Sequence, residues 1–229
     1  HGDKIVYTIE ETQVTDYEEP VYDQKNLKVT NKRTVEYISV TVKKIWDDNN
    51  NQDGKRPEQL TVTLSNNDTV TLNASNSWTA TIGNLLKYEN GKEVEYTWTE
   101  EDVDNYELTD TKVQDNVTTF TNTHTPATDD VVVTKVWEDS SNQEGLRPEE
   151  ITIHLLANGE EVSATPAIEK NGNTWTFTYS KLDVNAHGKA ITYTVTEDKV
   201  TNYETDIDGL TITNSRKVEE VEVNVQKVW

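Results

Sequence analysis

The chain has 229 residues, more than one small β domain needs, and carries a formal net charge of -21 spread along its length. That charge argues against nucleic acid and anionic membranes as partners. The absence of cysteine excludes disulfides, thiolate metal sites and thiol nucleophiles.

A mean hydropathy of -0.80 with 33% hydrophobic residues is low for one large globule and fits small sandwiches, which bury less of their surface. Thr and Val are abundant, and the aromatics are mostly Tyr and Trp, so strands are expected throughout. No window has convincing helical periodicity. No secretory leader, apolar span or lipidation motif occurs within these residues.

Three short stretches recur in a fixed order. Residues 1–36 hold Tyr7-Thr8-Ile9-Glu10-Glu11 and Val29-Thr30-Asn31. Next comes Val42-Lys43-Lys44-Ile45-Trp46, followed by Tyr96-Thr97-Trp98-Thr99-Glu100 and Phe120-Thr121-Asn122. The same series returns as Thr134-Lys135-Val136-Trp137, Tyr193-Thr194-Val195-Thr196-Glu197 and Ile212-Thr213-Asn214. The chain closes on Val225-Gln226-Lys227-Val228-Trp229. A period of about 91 residues marks an array. Residues 1–36 read as the back half of one repeat, 37–126 and 127–216 as complete repeats, and 217–229 as the first strand of another.

Strands are expected near 38–46, 59–65, 69–73, 77–82, 93–101, 105–112 and 116–123. In the next repeat they are expected near 130–137, 150–157, 160–165, 173–180, 190–198, 203–208 and 210–215. Each segment is short, alternates in polarity and is bounded by Asn, Asp or Gly. Seven strands in about 90 residues suggest an antiparallel β-sandwich, so the fold class is all-β with sandwiches in tandem. The linker His124-Thr125-Pro126-Ala127 is short and has few flexible residues, which suggests a semi-rigid rod.

Alternation gives the site. Residues two apart on a strand face the same way, so a core-facing Trp137 takes Lys135 with it. The same rule aligns Tyr96, Trp98 and Glu100, and also Phe120 and Asn122. Each complete repeat therefore aims one Lys, one Glu and one Asn toward its aromatics: Lys44, Glu100 and Asn122, then Lys135, Glu197 and Asn214. Lys43 has the opposite parity and should face solvent. A buried lysine is costly unless something there neutralises or uses it. A half-buried salt bridge at a sheet edge is one reading of these groups. The other is a spontaneous amide between the Lys amine and the Asn carboxamide. Desolvation yields a neutral, nucleophilic amine. A neighbouring glutamate carries a proton to the amide and on to departing ammonia. Contact between the groups supplies the effective molarity.

The Lys-x-Trp opening, the loop Asn51-Gln52-Asp53-Gly54-Lys55-Arg56-Pro57 and its echo Asn142-Gln143-Glu144-Gly145-Leu146-Arg147-Pro148, the Tyr-Thr-x-Thr-Glu strand and the closing Thr-Asn together resemble the collagen-adhesin B-type repeat, the Cna B-type domain. The resemblance covers essentially the whole chain. It implies inverse immunoglobulin-like sandwiches in surface adhesins and pilins of Gram-positive bacteria, extracellular and anchored to the cell wall. It also implies intramolecular Lys–Asn isopeptide bonds assisted by an acidic residue. Lys44 and Lys135 become amine donors, Asn122 and Asn214 acceptors, and Glu100 and Glu197 proton carriers. Glu11, Asn31 and Lys227 become the counterparts in the partial repeats.

Other motifs are weaker. Asn49-x-Asn51-x-Asp53-Gly54 resembles the start of a calcium loop, but the twelfth position, where a bidentate acid belongs, is Leu60, and in the next repeat Ile151. Turn formation is the expected role, with Arg56 and Arg147 bracing the loops. His1, His124, His154 and His187 lack metal-ligand spacing, so no metal and no cofactor is expected. Sequons begin at Asn67, Asn73 and Asn116 and read as incidental in a bacterial protein.

The functional expectation is a stalk of tension-bearing repeats whose partners are neighbouring repeats of the same chain, with any host matrix ligand held through another region. The alternative is an adhesive module that itself grips a matrix protein or glycan. An enzyme acting on glycans would need paired carboxylates in a cleft, which the scattered acids do not suggest. Self-crosslinking is a single turnover and not enzymatic catalysis.

Overall fold

The structure, a computed structural model, describes residues 2–217 and 219–229. The chain divides into two compact units, His1–Ile45 with Pro57–Asn122, and Trp46–Arg56 with Thr123–Trp229. The loop Trp46–Arg56 is thus built into the second unit.

The first unit begins with a hairpin of β1 (Val21–Asp23) and β2 (Lys28–Thr30). There follow β3 (Tyr37–Asp47), β4 (Gln59–Leu64), β5 (Thr69–Asn73), β6 (Thr79–Leu86), β7 (Tyr88–Glu89), β8 (Lys92–Glu93), β9 (Trp98–Glu100), β10 (Glu107–Gln114) and β11 (Val117–Thr123). A four-stranded sheet ordered β10-β11-β3-β6 accompanies a three-stranded sheet ordered β5-β4-β9. Alternation along β11, half-buried then buried over seven residues, shows why this sequence is a strand with one core face. Val42, Val62, Leu64, Leu72, Trp98 and Phe120 are among the buried apolar residues.

The second unit contains β12 (Thr128–Glu138), β13 (Ile153–Ala157), β14 (Glu160–Glu161), β15 (Ala167–Asn171), β16 (Thr174–Asp183), β17 (Asn185–Ala186), β18 (Lys189–Ala190), β19 (Tyr193–Glu197), β20 (Glu204–Asp208) and β21 (Thr211–Ser215). Its sheets are ordered β15-β16-β12-β21-β20 and β14-β13-β19. The core joins Val133, Trp137, Leu155, Trp175, Phe177 and Ile212. Trp137 meets Trp175 and Tyr203 edge-on, with centroids 5.3 and 5.0 Å apart, the geometry that aromatic quadrupoles favour.

Several expectations need correction. The sandwich is not wholly antiparallel: β12 and β21 run parallel, with Lys135 opposite Ile212 and Trp137 opposite Asn214. First and last strands of the unit therefore lie side by side. The expected strand 160–165 ends at Glu161, and β15 was not anticipated. β14 pairs with β13 through Glu160 and Glu161, and the chain then crosses to the other sheet, where β15 starts beside β16 directly after Pro166, which has no N–H to donate to a ladder. The expected strands 93–101 and 190–198 are each split, because β7-β8 and β17-β18 are tight hairpins. Asn90-Gly91 and His187-Gly188 all have positive φ, the turn that matches strand twist. A 3-10 turn, Ala74–Asn76, follows β5, capped by the Asn73 side chain.

The partial ends also differ from the sequence reading. Residues 7–11 and 219–229 form no strand. β9 and β19 pair with β4 and β13, and β3 and β12 each lie between two hydrogen-bonded neighbours. An alternating sequence without such a neighbour has no ladder to join.

One titratable brace ties the smaller sheet of the second unit. His154 on β13 holds Glu161 through Nδ1 at 2.7 Å and Asp198 through Nε2 at 3.1 Å. The two carboxylates raise its pKa above the ordinary 6.5, Glu161 being the larger cause. A raised value favours the folded state while the imidazole is protonated. Its contribution is full below about pH 6.5 and fades as pH climbs through the raised value. His154→Gln is expected to flatten stability between neutral and mildly alkaline pH, checked by urea melts across that range; an unchanged slope would refute the brace.

Candidate functional site

Lys44 and Lys135 sit at matching places on β3 and β12, on the faces that carry Val42 and Val133 into the core. Lys44 is 3% exposed and Lys135 is fully buried, while Lys43 is exposed. The glutamate side chains are buried with them. In the first unit Lys44 Nζ donates to both Glu100 oxygens at 2.8 and 2.7 Å, and Asn122 Nδ2 donates to Glu100 Oε1 at 2.5 Å. In the second, Lys135 Nζ lies 2.9 Å from Glu197 Oε1 and donates to Oε2 at 3.2 Å. Thr205 adds a hydroxyl donor to that oxygen at 3.3 Å.

Burial pushes the pKa of both lysines below the ordinary 10.5, while the adjoining glutamates pull the other way. Desolvation is the larger effect, so each ammonium is made readier to give up its proton. The asparagines differ. Asn122 is bonded through Nδ2, and its Oδ1 lacks a hydrogen-bond partner; Asn214 has neither carboxamide atom hydrogen-bonded, although it is fully buried. A buried, unsatisfied amide costs roughly 1–3 kcal/mol.

The counterparts expected near the two ends, Glu11, Asn31 and Lys227, are placed differently. Glu11 exchanges backbone hydrogen bonds with the Tyr22 hydroxyl, and its buried Oε2 has no partner. Asn31 is half-buried just beyond β2. Lys227 is exposed, with Nζ 3.4 Å from the Trp229 ring centroid.

Two acids at the site escaped the sequence reading. Asp48 and Asp139 are 1% and 3% exposed. Asp139 binds Arg147 through both oxygens, accepts Asn142 N–H at 2.9 Å and accepts the Tyr203 hydroxyl at 2.9 Å. Arg147, chiefly, holds its pKa at about 2. Arg147 also lies over the Trp137 ring, 5.3 Å from the centroid, and Lys135 lies 4.7 Å from the same ring. Asp48 and Arg56 repeat the ion pair, at 2.6 and 2.9 Å. The signal was present: Asp48 and Asp139 stand two residues after the tryptophans, on the parity already used for the lysines. Arg56 and Arg147 close these loops, and among the described residues no cluster of three or more His, Cys, Asp or Glu could hold a metal ion. His1 lies outside the described residues.

The class is now defined: immunoglobulin-like β-sandwiches in tandem, each with a buried Lys–Glu pair beside an Asn on a neighbouring strand. The chain belongs to the Cna protein B-type domain family, which it matches over residues 1–32, 40–123 and 131–215. It is 41% identical over its whole length to a collagen adhesin of Staphylococcus aureus and spans 19% of that protein. Its fold is similar to the crystal structure of two B repeat units of the Staphylococcus aureus collagen binding protein, with a TM-score of 0.67 and 40% identity over 89% of this chain and 55% of that one.

Proposed function

We propose that this chain is a set of stalk repeats from a Gram-positive surface adhesin, locked by intramolecular amides between Lys44 and Asn122 and between Lys135 and Asn214. Repeat boundaries at 1–36, 37–126, 127–216 and 217–229 belong to the same proposal, as do an extracellular, wall-anchored location and a matrix ligand bound through another region. The observation that carries it is the Asn214 carboxamide, buried and unpartnered on the strand parallel to that of Lys135. Acylating the lysine removes the Nδ2 group that has no partner.

The chemistry balances. The glutamate takes a proton from the Lys ammonium, leaving a neutral amine and a carboxylic acid. Nζ attacks Asn Cγ, the acid protonates the amide, and the Cγ–Nδ2 bond breaks. The glutamate relays the second proton from the attacking Nζ to the leaving nitrogen, which departs as ammonium, and the carboxylate is restored. Each site turns over once, so the proposal includes no enzyme activity.

The amide joins neighbouring strands at the two ends of a unit's sequence. A pull on the chain ends then crosses the covalent bond and leaves the strands between unloaded. Single-molecule pulling on the full chain tests this. Crosslinked units should release no length from between Lys135 and Asn214. An unfolding step spanning those residues would show that no bond carries the load.

The adhesive-module reading has one observation in its favour. A cleft of about 990 Å³ opens in the first unit, lined by Ile38, Val94, Tyr96, Trp98 and Val113 among others. It has the size of a ligand pocket, and a glycan or peptide titration followed by Trp98 fluorescence checks it.

A further inference from the structure

Within the second unit, loop Trp46–Arg56 is gripped in a specific way. Asp53 accepts hydrogen bonds from Ala127 N at 2.8 Å and Asn185 Nδ2 at 3.2 Å, and pairs with His124 Nε2 at 2.9 Å. The Gly188 N–H donates to the Gln52 carbonyl at 2.9 Å. Gly54 and Gly188 meet so closely that a Cβ on Gly54 would lie 2.6 Å from the Gly188 Cα. A carboxylate-glycine loop is thus held by a basic linker residue and the glycine turn of a hairpin.

Every part of this device occurs a second time, unpaired with its mate. Loop 139–147 has the same backbone as loop 48–56. Asn49, Asn50 and Asn51 have φ of 49, 59 and 58°, Ser140, Ser141 and Asn142 have 53, 61 and 58°, and both glycines have 67°. Glu144 stands where Asp53 stands, bound by Arg216 and by Glu219 N at 3.1 Å. Arg216 and Glu219 take the places of His124 and Ala127. Yet a Cβ on Gly145 would meet nothing within 4 Å. Conversely, the β7-β8 turn carries Gly91 where β17-β18 carries Gly188, with φ of 76 and 75°, and a Cβ on Gly91 also meets nothing. Beside it, an opening of about 220 Å³ is lined by Arg33, Glu36, Tyr88, Asn90 and Gly91 among others. Arg33 occupies the sequence place of His124, and Tyr88 that of Asn185, a donor for a donor.

We propose that these are the two halves of one docking interface: the Asn142–Gly145 loop is a plug and the Arg33–Tyr88–Gly91 cleft a socket, each shaped for the opposite half of a further repeat of this family. The occupant of the socket is a carboxylate-glycine turn. The Arg33 guanidinium, 5.9 Å from the Tyr88 ring centroid, supplies the charge its acid requires. The occupant of the plug is a hairpin glycine N–H. This interface goes beyond the crosslink reading and does not depend on it.

The test replaces residues 1–6 of the full chain with an inserted copy of residues 34–95, which joins Tyr7 where Tyr96 would follow and so completes a repeat ahead of Arg33, leaving the rest of the chain in place. The original Gly91 then follows a complete plug loop, while the Gly91 of the inserted copy keeps an empty socket as an internal control. With segmental isotope labelling, amide exchange at the original Gly91 should slow at least about tenfold relative to the control and match Gly188. Gly54→Asn in the inserted copy should abolish that protection, because Asn tolerates a positive φ but brings the clashing Cβ. Equal exchange at both Gly91 amides would overturn the proposal, as would protection that survives the substitution while Gly188 remains protected.

Discussion

Intact mass spectrometry of the folded chain is expected to read two ammonia masses below the sequence mass, one for each Lys–Glu–Asn triad. Glu100→Ala should return one of them, because Lys44 then has no base and Asn122 no proton source. The same variant should melt at lower temperature than the parent. Closing a loop of this length lowers the unfolded-state entropy by an amount equivalent to ~4.5 kcal/mol. Removing Glu100 also takes away the carboxylate that faces Lys44 in the core, a further loss of roughly 3–5 kcal/mol. Glu100→Gln separates the two effects, since it keeps the volume and a hydrogen-bonding group but cannot serve as the base. A parent of full sequence mass would remove the crosslinks; a Glu100→Ala variant still light by two ammonias would remove the glutamate from the chemistry.

Asp139→Asn is expected to destabilise the second unit, at a residue that takes no part in bond formation. Asp139 closes loop 139–147, fixes Arg147 over Trp137 and receives the Tyr203 hydroxyl. Removing its charge leaves a mostly buried guanidinium without a counter-ion, a loss of roughly 3 kcal/mol. Its pH signature follows from the lowered pKa. The folded value is about 2 against 3.8 unfolded, so its stabilisation is present above pH 3.8 and disappears as pH falls toward 2. The size of that acid-labile part is about 2 kcal/mol. Urea denaturation at pH 7, 4 and 2 checks it: the parent should weaken on the acid side, and Asp139→Asn should start lower and lose less. A variant with the parent's full acid-dependent loss would show that Asp139 is not the group responsible.

Much of this site could be read from alternation alone. Because strand side chains alternate faces, the spacing Lys135-x-Trp137 put the lysine in the core, and the same count separated Lys44 from Lys43. Two residues further on, the same alternation also carries Asp48 and Asp139 inward. Strand limits were less legible. Residues 160–165 read as one strand, but pairing with β13 stops at Glu161 and the chain crosses to the other sheet. The terminal stretches 7–11 and 219–229 alternate equally well and form no ladder. A strand is a property of two segments, and periodicity reports on one.

The sequence by itself determined the all-β class, the period of the repeats and the identity of the polar residues carried inward, because these follow from residue type and a two-residue step. Only the tertiary structure decided that β12 and β21 lie parallel and adjacent, that Glu197 reaches Lys135, and that Gly54 touches Gly188. Those are distances between residues far apart in the chain, set by which strands pair and how two sheets close over one core. No local pattern contains them.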